Sequence, residues 1–206
     1  MIRRDLGHLE IFKVPLEDRT NGLVNAIVHE IIERILQRGK GFVMNKNQWI
    51  TQLQLEPHVE GGYFRRTYQS DYTHEALPYA TTPRYLMTSI FYMLTDESPI
   101  GYLHVNRSDI IHYFHAGSPF TYLIVHPDGK LERVRLGNNP VVGEQLQLLV
   151  KGDCWVTAIL EMGEYGLISE AVSPGFDYAD MALITDRDVQ ARFPKLWPEL
   201  RNYVRR

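Results

Sequence analysis

RYLMTSIFYML (84–94) stops at TDESPIG (95–101), YLHVN (102–106) leads into RSDIIHYF (107–114), and that run stops at HAGSP (115–119). The rhythm continues. FTYLIV (120–125) ends at HPDG (126–129), and KLERVRL (130–136) ends at GNNP (137–140). QLQLLV (145–150), WVTAIL (155–160), YGLISEAV (165–172) and YADMALI (178–184) follow. These are eight or nine short runs rich in Tyr, Phe, Val and Ile, separated by Gly, Pro, Asp and Asn. Such spacing predicts an all-β sandwich or barrel. Asp128-Gly129 between two alternating runs is the clearest hairpin signal. No long helical pattern separates the runs, which argues against a doubly wound α/β sheet.

Outward from this block the texture changes. Thr20 or Asn21 is placed to cap a helix over 21–38, with Leu23, Ile27, Ile31 and Leu36 near helical spacing and Gly39 and Gly41 as its stop. A short helix is predicted over 46–54 from Trp49, Leu53 and Leu55. The tail, 186–206, carries Phe193, Leu196, Trp197 and Leu200 with Pro194 and Pro198 among them, and reads as short, broken helix on the surface.

The 206 residues are 44% hydrophobic, 11% aromatic and 23% charged, enough apolar material to bury a core. Twenty-two basic against twenty-five acidic residues give a net charge of -3, which argues against a general nucleic-acid partner. No apolar run reaches the roughly 20 residues that span a bilayer. MIRRDLGHLEIFK has no apolar stretch behind its charges, so no secretory signal is read and a cytoplasmic location is expected. One cysteine, Cys154, leaves no intramolecular disulfide and no thiolate zinc cage. Its neighbours Asp153 and Trp155 do not favour a thiolate. No phosphate loop, dinucleotide fingerprint or nucleophile elbow is present.

Three segments hold candidate chemistry. His104, His112 and His115 sit close together, and strand parity puts His112 with Ile110 and Phe114 on one face and His115 on the other. Tyr92, Tyr113 and Tyr122 lie on neighbouring runs. EPHVEGGYFRRT (56–67) packs two acids, a histidine, two adjacent glycines and two arginines together. Arg65 or Arg66 suits a forked bond to a carboxylate or phosphate, although the segment equally suits a polar loop. EAVSPGFDYAD (170–180) offers carboxylates that either orient a facing histidine or cap a turn, the latter favoured for Asp177.

Together PHVEGGYFR (57–65), SPIG (98–101), His104 through His112, PDG (127–129) and VSPGFDYAD (172–180) resemble the cupin superfamily, in its cupin family five branch, over roughly residues 46–185. The resemblance implies a double-stranded β-helix, the jelly-roll cupin barrel; outside it, the residue pattern reads as N-terminal helices over 1–45 and a helical tail over 186–206. The resemblance also implies a ligand pocket inside the barrel and a homodimer. It places His58, Glu60, Tyr63 and Arg65 around the mouth. His104 matches the histidine that opens the cupin metal motif, but the acidic position falls at Ile110 and the last ligand position near Val156. No metal and no other cofactor is therefore expected.

The function expected is binding of a small polar or anionic metabolite in the barrel, with no assigned activity. The alternative is a metal-independent, sugar-type isomerase or epimerase. In it His112 or His104 is the base, Tyr92 or Tyr122 the acid and Arg65 the anchor. Trp155 and Glu170 complete the ligand-contacting set. A histidine in reach of a buried carboxylate, with a tyrosine across the cavity, would favour the enzyme.

Overall fold

The computed structural model describes residues 44–75 and 77–206, together with His29. The helix expected over 21–38 lies, apart from His29, outside the described residues. Residues 44–206 form one compact unit. Its strands are β1 (Glu56–Pro57), β2 (Tyr63–Gln69), β3 (Thr73–His74), β4 (Arg84–Tyr85), β5 (Thr88–Thr95), β6 (Ile100–Asn106), β7 (Asp109–Gly117), β8 (Phe120–Val125), β9 (Leu131–Leu136), β10 (Gln147–Val150), β11 (Trp155–Ile159), β12 (Tyr165–Ser173) and β13 (Met181–Leu183). The helices are α1 (Lys46–Leu53), α2 (Asp186–Arg192) and α3 (Trp197–Leu200).

Two antiparallel sheets face each other. The larger runs β1-β2-β5-β12-β7-β10 and the smaller β13-β6-β11-β8-β9, while β3 and β4 form a separate ribbon. From β5 onward the chain crosses between the two sheets at nearly every step, and only β8 and β9 are consecutive within one sheet. This is the expected jelly roll, built of right-twisted hairpin partners wound as a double helix of strands. The turn at Asp128-Gly129 joins β8 to β9, with Gly129 at φ 87 and the His126 N–H donating to the Lys130 carbonyl at 2.9 Å.

Three apolar layers hold the unit. Between the sheets lie Leu94, Phe120, Tyr122, Ile124, Leu136, Val156 and Ile168. The outer face of the larger sheet, with Met93 and Leu167, is covered by Trp49, Ile50 and Leu53 of α1 and by Leu55. The outer face of the smaller sheet, with Leu103, Leu123 and Trp155, is covered by Val189, Leu200 and Val204 of the tail. That double coverage explains why FTYLIV and WVTAI show no polar alternation: every residue of β8 and β11 is buried.

The helix predicted over 46–54 is α1. Asn45 caps it, accepting from the Gln48 N–H at 2.9 Å while the Gln48 side chain accepts from the Asn45 N–H. The tail is broken helix as expected, but more than a surface strap. Val189 and Leu200 are fully buried, and the Leu103 N–H donates to the Tyr203 carbonyl at 2.8 Å. The segment after Gly62, which also read as a loop, is strand β2 in the larger sheet. Among the described residues no helix is long and apolar enough to cross a membrane.

Candidate functional site

Register across the larger sheet builds the site. Arg66 of β2 pairs with Ile90 of β5, Ile90 with Glu170 of β12, Glu170 with His112 of β7, and His112 with Leu148 of β10. Directly opposed residues on antiparallel strands share a face, so one row across the sheet's inner face carries Arg66, Glu170 and His112. A second row runs Phe64, Tyr92, Ile168 and Phe114. His104 enters from β6 of the facing sheet.

The turn before β2 delivers His58 and Glu60. Gly61 and Gly62 both hold positive φ, 93 and 67. A Cβ on Gly61 would stand 2.2 Å from the Ile100 carbonyl oxygen, so only glycine fits there. The close approach lets the Glu60 carbonyl accept from the Tyr102 N–H at 2.6 Å and the Gly62 N–H donate to Ser98 Oγ at 2.8 Å.

The result is a cavity of about 470 Å³ inside the larger sheet's mouth. Phe64, Ile90, Ile110, Val172 and Phe176 make its apolar walls. His58, Glu60, Tyr92, His104 and Glu170 form its polar floor, and Arg66 and Arg84 stand on its flanks. A smaller chamber behind the floor shares Glu60, Tyr92, His104 and Glu170 with it and adds His112 and Tyr122. The size and the mixture of apolar wall with few polar groups are those of an ordinary small-molecule site.

The polar groups are held in pairs. Glu60 Oε2 lies 3.6 Å from both His58 Nδ1 and His104 Nε2. His112 Nδ1 lies 3.3 Å from Glu170 Oε1 and 3.3 Å from the Tyr122 hydroxyl. The Tyr92 hydroxyl donates to the Gly61 carbonyl at 2.9 Å. Burial pushes the Glu170 carboxyl up, but His112, His104 and His58 together outweigh it and leave the group below its ordinary range. Burial pulls His58 down. Its Nδ1 accepts the Glu60 N–H at 3.3 Å, which also fits a neutral ring. Burial, with the Glu60 and Glu170 charges, raises Tyr92 well above its usual value, and burial raises Tyr122 likewise, so both hydroxyls stay protonated.

Of the residues singled out in the sequence, the structure brings His58, Glu60, Tyr92, His104 and Glu170 to the main cavity. His112 and Tyr122 stand one layer deeper, where His112 reaches the cavity through Glu170. Three expectations need correction. Tyr63 has the opposite parity to Phe64 and packs on the outer face with Leu55 and Met93. Arg65 likewise faces outward, where its Nη1 donates to the Leu53 carbonyl at 3.3 Å and to the Gln54 side chain at the end of α1. Trp155 is on the outer face of β11, 4.9 Å from the Phe193 ring and under the Arg192 guanidinium. His115 is exposed on the face opposite His112, against Phe91.

Residues that sequence reasoning did not single out complete the mouth. Arg84 is buried, with Nε and Nη2 donating to the two Asp180 carboxylate oxygens at 2.6 and 2.9 Å. Phe176 packs edge-on against Tyr178 at 5.0 Å. Asp177, by contrast, was expected from the sequence to cap the turn, and it does, accepting the Ala179 N–H at 2.8 Å. Parity in 63–66 was the available signal for Phe64 and for choosing Arg66 over Arg65, but it names two faces without saying which is inside.

The positions where a cupin metal set would stand do not fit one. Ile110 is an aliphatic wall residue, and Val156, opposite His104 in register, is a buried core residue. Among the described residues no three His, Cys, Asp or Glu side chains are grouped as a metal ion requires.

Comparison with known proteins agrees with this architecture. The family described as Cupin superfamily (DUF985) matches residues 47–184. An uncharacterized protein of Saccharomyces cerevisiae is 36% identical over 153 residues, 68% of this chain and 76% of the yeast protein. A solved structure of a hypothetical protein from Leishmania major superposes with a TM-score of 0.74 at 28% identity, covering 79% of this chain and all of that one. A protein from Shewanella oneidensis superposes with a TM-score of 0.71 at 30% identity, covering 79% of this chain and 99% of that one.

Proposed function

Because the chain belongs to the cupin superfamily, in the family described as DUF985, we propose that it takes a small polar or anionic metabolite into the barrel. The observation that carries this reading is the row Arg66, Ile90, Glu170, His112, which lines a charged group at the rim up with a buried acid on the floor and an imidazole one layer beneath it. Burying an ionisable pair costs stability unless each group is partnered, so a fold gains little from such a row unless a ligand uses it. The test is to denature the purified protein, identify the small molecules released by mass spectrometry, and titrate them back. Arg66→Ala weakens binding, while Arg65→Ala, on the opposite face, leaves it unchanged. Equal effects of the two would sink the reading. It includes a homodimer in the cytoplasm with no nucleic-acid partner.

A second reading is favoured by one contact. His112 lies within reach of the buried Glu170, with Tyr122 beside it and Tyr92 on the same floor. In an isomerase or epimerase of this kind, a histidine removes a carbon-bound proton and a tyrosine returns one to the opposite face. Glu170 would stabilise the imidazolium formed. Incubating the released metabolite with the protein in D2O tests it: deuterium appearing at carbon supports proton abstraction, and its absence leaves binding alone.

A further inference from the structure

The chamber behind the floor measures about 20 Å³, room for one water-sized group. Its hydrogen-bonding character follows from the partners of each wall residue. His104 Nδ1 lies 2.8 Å from the Tyr102 carbonyl. A carbonyl only accepts, so Nδ1 carries a hydrogen, and Nε2 faces Glu60 Oε2 at 3.6 Å. That separation is too long for a direct hydrogen bond, and a donor seated beside the two atoms would serve both.

His112 repeats the pattern. Its Nδ1 faces the Glu170 carboxylate at 3.3 Å, so Nδ1 carries a hydrogen. His112 is 4% exposed, and its Nε2 is buried with no hydrogen-bond partner among the described residues. An unpaired buried polar atom of this sort calls for an occupant. The Tyr92 hydroxyl is spent on the Gly61 carbonyl. The chamber is therefore walled by two carboxylates and two imidazoles, against the single free hydroxyl hydrogen of Tyr122.

We propose that the chamber seats a protonated primary amine carried by the ligand, so that the metabolite is an amino compound with its ammonium head innermost. An ammonium head has the size of a water, three N–H donors and the charge that Glu60 and Glu170 balance. The body of the ligand then runs along Phe64, Ile90 and Val172, and an anionic group at its far end meets Arg66 at the rim. This inference rests on the reading that the barrel holds a small polar metabolite, and narrows it.

The test compares matched amines and alcohols by calorimetric titration at neutral pH: 4-aminobutyrate against 4-hydroxybutyrate, and glucosamine 6-phosphate against glucose 6-phosphate. In parallel, molecules released from the denatured protein are treated with dansyl chloride, which labels amines. The expected result is a released species that takes the label, and about a tenfold or greater preference for the amine of at least one pair, as a charge-assisted hydrogen bond supplies. Glu170→Gln and Glu60→Gln, each checked for folding by circular dichroism, lose that preference. A released metabolite without an amine, or alcohols that bind as tightly as amines, overturns the amine seat and leaves the barrel reading standing. Zinc or manganese chloride binding at the chamber while the amines stay inert overturns it too. No released molecule and no binding of any probe overturns both.

Discussion

His112 shows how a single residue divides between core and site. Its ring packs 5.0 Å from Tyr122 between the sheets, and its Nδ1 faces Glu170. Removing the ring leaves Glu170 without its main partner, a loss of about 1–3 kcal/mol if no water replaces it. His112→Ala is expected to reduce ligand affinity by more than it reduces stability. Thermal unfolding and titration of the same variant separate the two, and a large fall in melting temperature with affinity unchanged would place His112 in the core alone. His58 contributes a pH dependence, as does His115, whose pKa burial also lowers. Burial lowers the folded pKa of His58 below the unfolded value of about 6.5. Between those two values the unfolded chain binds more protons, so stability falls as pH drops through that window and is fully present above about 6.5. Melting temperature is expected to decline from pH 7 towards pH 5, and His58→Asn to reduce that slope. A slope unaltered in His58→Asn would assign the effect to other groups.

At the scale of elements, the two coverings of the barrel matter as much as the barrel. The 46–54 segment announced itself by the apolar positions Trp49, Leu53 and Leu55, and it folds as α1, with a cap at Asn45 that the structure adds. The tail announced its apolar residues but not their destination. Leu200 is fully buried against Leu103, Leu123 and Val125 of the smaller sheet, a contact that depends on residues about 75 to 97 positions away. Leu200→Ala is expected to cost about 2–5 kcal/mol, measured by chemical denaturation, as cavity formation in a packed core does. A cost below about 1 kcal/mol would mean the tail is a loose strap. The loop His58–Gly62 belongs to the same scale. Its double glycine was visible in sequence as permission for positive φ, and the structure shows what uses it: the backbone approach that carries Glu60 to the floor.

At the scale of the whole molecule, β10 is an edge strand of the larger sheet, and the chain around it exposes Val141, Val142, Leu146 and Leu149. An open edge flanked by aliphatic side chains favours association. The expected homodimer would return twice 23.9 kDa by light scattering at micromolar concentration, and a mass of one chain would count decisively against it. The jelly roll itself was legible because turn residues punctuate the strands locally, at Asp128-Gly129 and Pro174-Gly175 for example, and because the quoted blocks carry the family's order. The placement of Tyr92, His104 and Glu170 on one floor was legible to the extent that parity fixes which residues share a face. What parity leaves open is which face is inside. Alternation between apolar and polar residues answers that only when one face meets water. Here α1 covers one sheet and the tail the other, so both faces of β8 and β11 are apolar and the signal is erased. The choice of Arg66 over Arg65 for the cavity, the turning of Trp155 to the outside, and the pairing of Glu170 with His112 were thus decided by tertiary register, because the cross-strand partners that fix each face lie tens of residues apart in sequence.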